Sequence, residues 1–294
     1  MTNELPDAPS DPRQNWDLSA FGELPVVAEV SELATRVLAP NPSPMTLDGT
    51  NTYVIGDDAS GAAVVLDPGP RDDDHRRHVE EVLGARAITC ELVLVTHHHE
   101  DHAAAAQDWA GRFDCVVAAP TRAVAGDDGR LVEPGDRIEV GGVAIDAVAT
   151  PGHTRDHTSF RTPDGALFTG DHVLGRGTSV VAHPDGNLGA YLESLRRVLE
   201  LGPDVLFPGH GPVLAEDPTA VIDYYLAHRE HRLQQILAAL GSSGRLTPRQ
   251  LVERIYADVD RRLWPAAEAS TSAALELLSD QERIAWDGEA AWLP

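Results

Sequence analysis

Apolar positions along this chain repeat with two periods, and the switch between them predicts an α/β protein. Short apolar runs bounded by turn formers read as strands: Thr52–Ile55, Ala62–Leu66, Glu91–Thr96, Val116–Ala119, Asp136–Val140, Val143–Val148, Ser159–Arg161, Ala166–Thr169 and Val205–Phe207. Gly56–Gly61 and Pro163–Gly165 supply hairpin turns between neighbouring runs. Residues 72–84, 103–110 and 187–202 read as helices between strands. An earlier apolar pattern, Val26–Leu38, runs into the turn-rich Ala39–Pro44.

Near Pro218 the pattern becomes helical. Ala220–Leu240 is followed by a break at Gly241-Ser242-Ser243-Gly244. Thr247 is a candidate N-cap with Pro248 at the first helical position, opening a helix to about Asp258. A further helix, Ala266–Gln281, precedes two short strands around Trp286 and Trp292. Three helices and a hairpin is the order of a winged-helix module. Residues 1–22, polar and rich in Asp and Pro, read as a disordered tail. The expected division is therefore 1–22 tail, 23–217 α/β domain, and 218–294 helical winged-helix-like domain.

Charge narrows the partners. The formal net charge is −24, and all 23 basic residues are arginine. Such a field repels polyanions and weighs against a broad nucleic-acid surface. Screening over roughly 8 Å still permits a local arginine-lined groove. The segment after Gly241 is itself acidic, which fits a packing or homodimerisation element better than a nucleic-acid reader. No apolar run approaches ~18 residues, so no membrane span is expected. The acidic, Pro-containing start lacks the form of a secretory signal, so a cytoplasmic location is expected. Cys90 and Cys115 sit beside apolar stretches and read as reduced core residues.

The candidate chemistry lies in Thr96-His97-His98-His99-Glu100-Asp101-His102, four imidazoles and two carboxylates after a buried strand. Imidazole and carboxylate are the usual nitrogen and oxygen ligands of zinc-like cations. His97 and His99 project to one side by alternation, while His98 and Glu100 point away. Asp101 and His102 fall where the chain turns into a helix, so this segment can feed two adjacent metal positions. Three later sites place a glycine and then an imidazole or carboxylate at a strand end: Pro151-Gly152-His153-Thr154, Gly170-Asp171-His172 and Pro208-Gly209-His210-Gly211. Glycine allows a sharp turn and close backbone approach there.

These motifs, in this order, resemble the metallo-β-lactamase superfamily. Asn41–Leu47, Gly49–Tyr53, Gly170–Gly175 and Pro208–Pro212 are further similar to the beta-lactamase-like protein 2 group, as are the C-terminal helices. The resemblance implies a four-layer αβ/βα sandwich with a C-terminal winged helix. It implies two divalent ions, zinc before manganese or iron. His97, His99 and His153 would hold the first, Asp101, His102 and His210 the second, and Asp171 would bridge them. Two ions ~3.5–4 Å apart clamp the attacking and leaving oxygens and lower the pKa of a bridging water from ~15.7 to ~7. Asp101 would accept a proton from the nucleophile, and Asp67 would fix the ligand loop from behind. His157, four residues after His153, is a candidate catalytic or substrate-facing group, or a support behind the ligands. His172 reads as a structural neighbour of the bridge, and His75, His78, His183, His228 and His231 as surface or packing residues. Arg176 and Thr178, flanking Gly177, are candidate holders of a phosphate or carboxylate, and Arg155 is another. Asn51 is a candidate substrate contact or loop brace.

Fold does not decide substrate. A small ester or thioester remains open, and so does cleavage of single-stranded RNA, an activity found in the resembling group. β-Lactam hydrolysis is disfavoured by the absence of a secretory signal and by Asp101, and lactone hydrolysis is a lesser alternative. A purely structural metal module would have a closed four-coordinate site, whereas seven donors leave open positions.

Overall fold

Period-two alternation explains how two sheets come to face each other. The computed structural model describes residues 7–140 and 142–294. The first sheet contains, in spatial as in chain order, β1 (Val27–Glu29), β2 (Ala34–Leu38), β3 (Asn51–Ile55), β4 (Ala62–Leu66), β5 (Thr89–Leu94), β6 (Val116–Ala119) and β7 (Arg130–Leu131). The second contains β8 (Arg137–Val140), β9 (Val143–Ala149), β10 (Thr158–Arg161), β11 (Ala166–Gly170) and β12 (Val205–Pro208), in spatial order β12-β11-β10-β9-β8.

Along β3 and β4, Tyr53, Ile55, Val64 and Leu66 join Phe160, Phe168 and Phe207 of the second sheet in one core. Their neighbours Val54, Ala63 and Val65 face the other way, toward Val79, Leu83 and Trp109. These come from α1 (Asp73–Ala85) and from α3 (Ala106–Phe113), which follows the single-turn α2 (Glu100–Ala103). On the opposite face of the second sheet, Leu167 and Leu206 pack with Tyr191, Leu195 and Tyr225. After the short α4 (Arg122–Ala125), that layer is built by α5 (Leu188–Leu201) and α6 (Pro218–Ser243). The result is the expected helix–sheet–sheet–helix sandwich. Each large core side chain contributes about 1.5–3 kcal/mol by burial.

The C-terminal module follows as α6, α7 (Pro248–Ile255), α8 (Trp264–Asp280) and the hairpin β13 (Ala285–Trp286) and β14 (Ala291–Trp292). Thr247 and Gln250 form a reciprocal capping box at α7. The helix break expected from Gly241 onward occurs only at Gly244, because Gly241, Ser242 and Ser243 complete α6.

Three expectations change. The helix expected over 103–110 is two helices, α2 beginning at Glu100 with His99 as N-cap. The tail expected to be disordered is anchored within its described part. Arg13 is 5% exposed and donates to the carbonyls of Leu174 (2.8 Å) and Gly177 (2.6 Å) while pairing with Asp11 at 2.7 Å. Its guanidinium also lies near the rings of Tyr224 and Tyr225. This buried cation, with its acid partner and aromatic faces, docks the segment, and Trp16 and Leu18 pack partly buried against the helical core beside it. Residues 1–6 of that expectation lie outside the described residues. Finally, β1 and β2 divide the apolar pattern at 26–38 into an antiparallel pair.

The site's position follows from strand direction. β4, β5 and β6 run parallel, as do β11 and β12, so their C-terminal ends gather at one rim of the sandwich. Backbone bonds join the sheets there: Thr158 N–H to Thr96 O (2.9 Å) and Asn51 N–H to Gly209 O (2.7 Å).

Candidate metal centre

Asp67 organises the ligand loop. It ends β4 in a left-handed conformation, φ 50°, which Asp tolerates better than most residues. Its Oδ1 accepts the Thr96 N–H at 2.8 Å, and its Oδ2 accepts the Thr96 hydroxyl at 2.9 Å and His102 Nδ1–H at 2.8 Å. The Thr96 hydroxyl is thereby spent, so His97 Nδ1 donates to Thr96 Oγ1 at 2.9 Å. His153 Nδ1 donates to Val180 O at 2.6 Å and His210 Nδ1 to Gly49 O at 3.1 Å. In His97, His102, His153 and His210 the proton is thus held outside, leaving Nε2 as a lone-pair donor.

These donors converge. Ligand atoms of His97, His99, His153 and Asp171 lie within 4.8 Å of one another, as do those of Asp101, His102 and His210. His99 Nδ1 is 3.0 Å from His153 Nε2. The two oxygens of Asp171 face different groups: Oδ1 is 3.3 Å from both His102 and His210 Nε2, and Oδ2 is 3.5 Å from His153 Nε2. Asp101 Oδ2 is 3.2 Å from His210 Nε2. Gly209 makes this approach feasible, since a Cβ there would lie 2.7 Å from His102 Cε1 and 2.9 Å from Asp171 Oδ1.

The donor set fits a pair of divalent cations. His97 Nε2 and Asp171 Oδ1 are buried without hydrogen-bond partners, and such orphaned atoms are costly. His102 and His210 turn Nε2 toward each other at 3.2 Å, and a cation held by both nitrogens would take the place of the ring protons that the surrounding carboxylates otherwise favour there. Among the described residues the ion-pair partners of Asp67, Asp101 and Asp171 are all imidazoles. Burial works against a charged His102, but Asp171, Asp67 and Asp101 outweigh it and hold its pKa well above the ordinary value. Burial likewise opposes charge on His210, yet Asp171 and Asp101 push it up to about 9. His97, with burial and His102 both disfavouring charge, is held well below its ordinary value and stays a neutral donor. Asp101, despite burial, is pulled down to about 2 by His102 and His210.

Other expected site residues fall elsewhere. His157 is 1% exposed and does not face substrate. Its Nε2 accepts the Asp171 N–H at 3.1 Å, so Nδ1 donates to Thr150 Oγ1 at 2.9 Å. Burial, with His153 and His172, favours its neutral form, and both ring nitrogens are engaged. Asn51 is likewise no substrate contact: fully buried, its amide donates to Pro208 O (2.9 Å) and Gly211 O (2.8 Å), bracing the loop that carries His210. Arg155 is exposed, donates one N–H to Pro184 O at 2.8 Å and does not line the cavity over the donors. His172 is buried against Tyr191. A cavity of about 210 Å³ over the donors is lined by Met45, His99, Asp101, His153, Asp171, Val180, Ala182 and Asp185. Arg176 and Thr178 line a neighbouring cavity, not this one.

Three residues at the site carry no prior expectation from sequence: Asp185, Thr150 and Val180. Asp185 joins His98 and His99 in a third donor group, with His98 3.6 Å from Asp185 and 2.9 Å from Asp156. Thr150, a polar residue closing an apolar strand, was the signal for the His157 brace. Val180 acts through its backbone and leaves no sequence signature.

The fold and the donor array define a class. Residues 45–210 match the Metallo-beta-lactamase superfamily, and residues 247–292 match the Beta-lactamase associated winged helix domain. The chain is 32% identical over 277 residues to the Beta-lactamase-like protein 2 homolog of Drosophila melanogaster, covering 89% of this chain and 92% of the relative. It is 33% identical over 280 residues to the Lactamase-like protein aptB of Emericella nidulans, covering 91% and 88% respectively. A Beta-lactamase domain protein from Burkholderia ambifaria superposes with a TM-score of 0.79 at 22% identity, covering 97% of each chain. That last likeness bears on fold alone. The chain belongs to the metallo-β-lactamase superfamily and carries a C-terminal winged helix. No helix among the described residues is long and apolar enough to cross a membrane.

Proposed function

We propose that this chain is a dinuclear metal-dependent hydrolase acting on a small ester or thioester. The observation that carries the reading is Asp171, whose two carboxylate oxygens face separate groups of imidazole donors beneath an open cavity. His97, His99 and His153 would hold one ion, Asp101, His102 and His210 the other, and Asp171 both; zinc suits this mixture of nitrogen and oxygen donors, as do manganese and iron. Bound ions of this kind supply an acidified water and polarisation of an acyl or phosphoryl oxygen.

The protein's own part is positioning. His157 fixes the backbone at Asp171, and Asp67 fixes His102 and, through Thr96, His97. Asp101 is ionised and lines the cavity, where its carboxylate can accept the proton released as water adds to the substrate carbonyl. The water's OH stays on the acyl carbon, and its proton ends on the departing alkoxide or thiolate.

The cavity rim favours a small acyl substrate over RNA. Met45, Val180 and Ala182 give apolar contact, and its charged rim, Asp101 and Asp185, is acidic. The test is a panel of p-nitrophenyl esters, acyl thioesters and labelled single-stranded RNA offered to metal-loaded protein, with Asp171→Ala as control. Asp171-dependent turnover of esters or thioesters supports the reading. Asp171-dependent cutting of RNA alone would replace it with the ribonuclease alternative.

A further inference from the structure

Beside the donor cavity lies a second one, of about 380 Å³, between the sandwich and the winged helix. The two share Met45 and Val180 in their walls. Arg176, Arg229, Arg232 and His228 line the second cavity, and none of its described lining residues is Asp or Glu. In a chain of net charge −24 that is a pronounced local inversion. The acid that acts on His228, Asp11, is already paired with Arg13 at 2.7 Å. Burial and then the neighbouring Arg229 and Arg232 hold His228 down to about 3, consistent with a cationic pocket.

The cations are incompletely used. Arg176 Nε and Nη2 are buried with no hydrogen-bond partner, and Arg229 Nε and Arg232 Nε are also unpartnered. Buried guanidinium groups normally find acceptors. The remaining wall is apolar: Leu47, Leu174 and Val180 on the sandwich side, Tyr256, Val259 and Leu263 on the winged-helix side.

We propose that this cavity binds the phosphate or carboxylate end of a small amphipathic substrate whose scissile ester or thioester lies over the donor clusters. The proposal rests on the hydrolase reading for the second half of that statement. A guanidinium fork matches such an anion, and the apolar wall matches the chain that joins it to the reacting group. A polynucleotide would need a cationic track, and the donor cavity alongside is acid-rimmed.

The test is calorimetric titration of zinc-loaded full-length protein with octyl phosphate, with 1-octanol as the uncharged control. Wild type is compared with Arg176→Gln and with Ser270→Glu, which adds an anion to the same wall without removing an arginine. Saturable octyl phosphate binding, at least about tenfold weaker in both variants and not matched by octanol, is expected. No saturable binding, or affinity unchanged in both variants, would overturn the assignment. So would Arg176-dependent binding of single-stranded RNA in place of octyl phosphate. Metal content and ester turnover are read on the same samples. Two ions and turnover without phosphate binding would sink this inference and leave the hydrolase; Arg176-dependent binding without any turnover would do the reverse.

Discussion

Asp67 Oδ2 accepts the Nδ1–H of His102 at 2.8 Å, and the same oxygen accepts the Thr96 hydroxyl that receives the proton of His97. One carboxylate therefore orients a ligand of each candidate ion. Asp67→Asn tests this with little backbone cost, since Asn also tolerates the left-handed conformation. Zinc affinity is expected to fall about 10- to 100-fold, read by competition with a chromophoric chelator. Unchanged affinity would remove Asp67 from this role.

His157 is placed as a neutral acceptor of the Asp171 N–H. Burial, then His153 and His172, keep it well below its ordinary pKa. His157→Ala is expected to lower kcat while the pH–rate profile keeps its shape. A limb of that profile that vanishes with the imidazole would restore His157 as an acid or base.

Gly209 has no room for a side chain next to His102 and Asp171. Gly209→Ala is expected to reduce metal content below two ions per chain and to cost about 1–3 kcal/mol of stability. Elemental analysis and denaturant unfolding measure the two effects. Full occupancy at wild-type stability would show that the loop can yield.

His75 supplies a pH dependence away from the metal donors. Burial pushes its pKa down to about 4 from 6.5, against the pull of Asp72. The Thr52 hydroxyl is spent on Asp67 O, so His75 Nε2 donates to Thr52 Oγ1 at 2.8 Å, and Nδ1 is left buried without a partner. Between pH 6.5 and about 4 the unfolded chain binds this proton and the folded chain does not. Stability from keeping His75 neutral is therefore present above 6.5 and lost as pH falls toward 4, by on the order of 3 kcal/mol. Unfolding free energy measured across that window is expected to fall less steeply in His75→Gln. Identical slopes would contradict the burial argument.

Much of this was legible in the residues, for identifiable reasons. Strands such as Ala62–Leu66 and the Ala166–Phe168 part of β11 carry uninterrupted apolar runs because both faces of each sheet are covered. The metal donors were legible because glycine and imidazole recur at strand ends. Asn51 and His157 each left two readings open because their polarity serves the interior: one braces a loop, the other holds a backbone N–H, and sequence does not distinguish a buried brace from an exposed substrate contact. The N-terminal segment misled because its anchors are few and scattered: Arg13 meets residues more than 160 positions away, and among its described residues only Trp16 and Leu18 reach the core. The contribution of Val180 is a carbonyl, which any residue could have supplied.

The central claim is two ions acting together across Asp171. It is tested most directly by stripping the protein with a chelator and restoring zinc in steps while hydrolysis of a p-nitrophenyl ester or acyl thioester is followed. The account predicts no turnover in the stripped protein, recovery that levels off at two equivalents per chain, and no recovery in Asp171→Ala. Turnover that survives stripping, or that is complete at one equivalent, would contradict it.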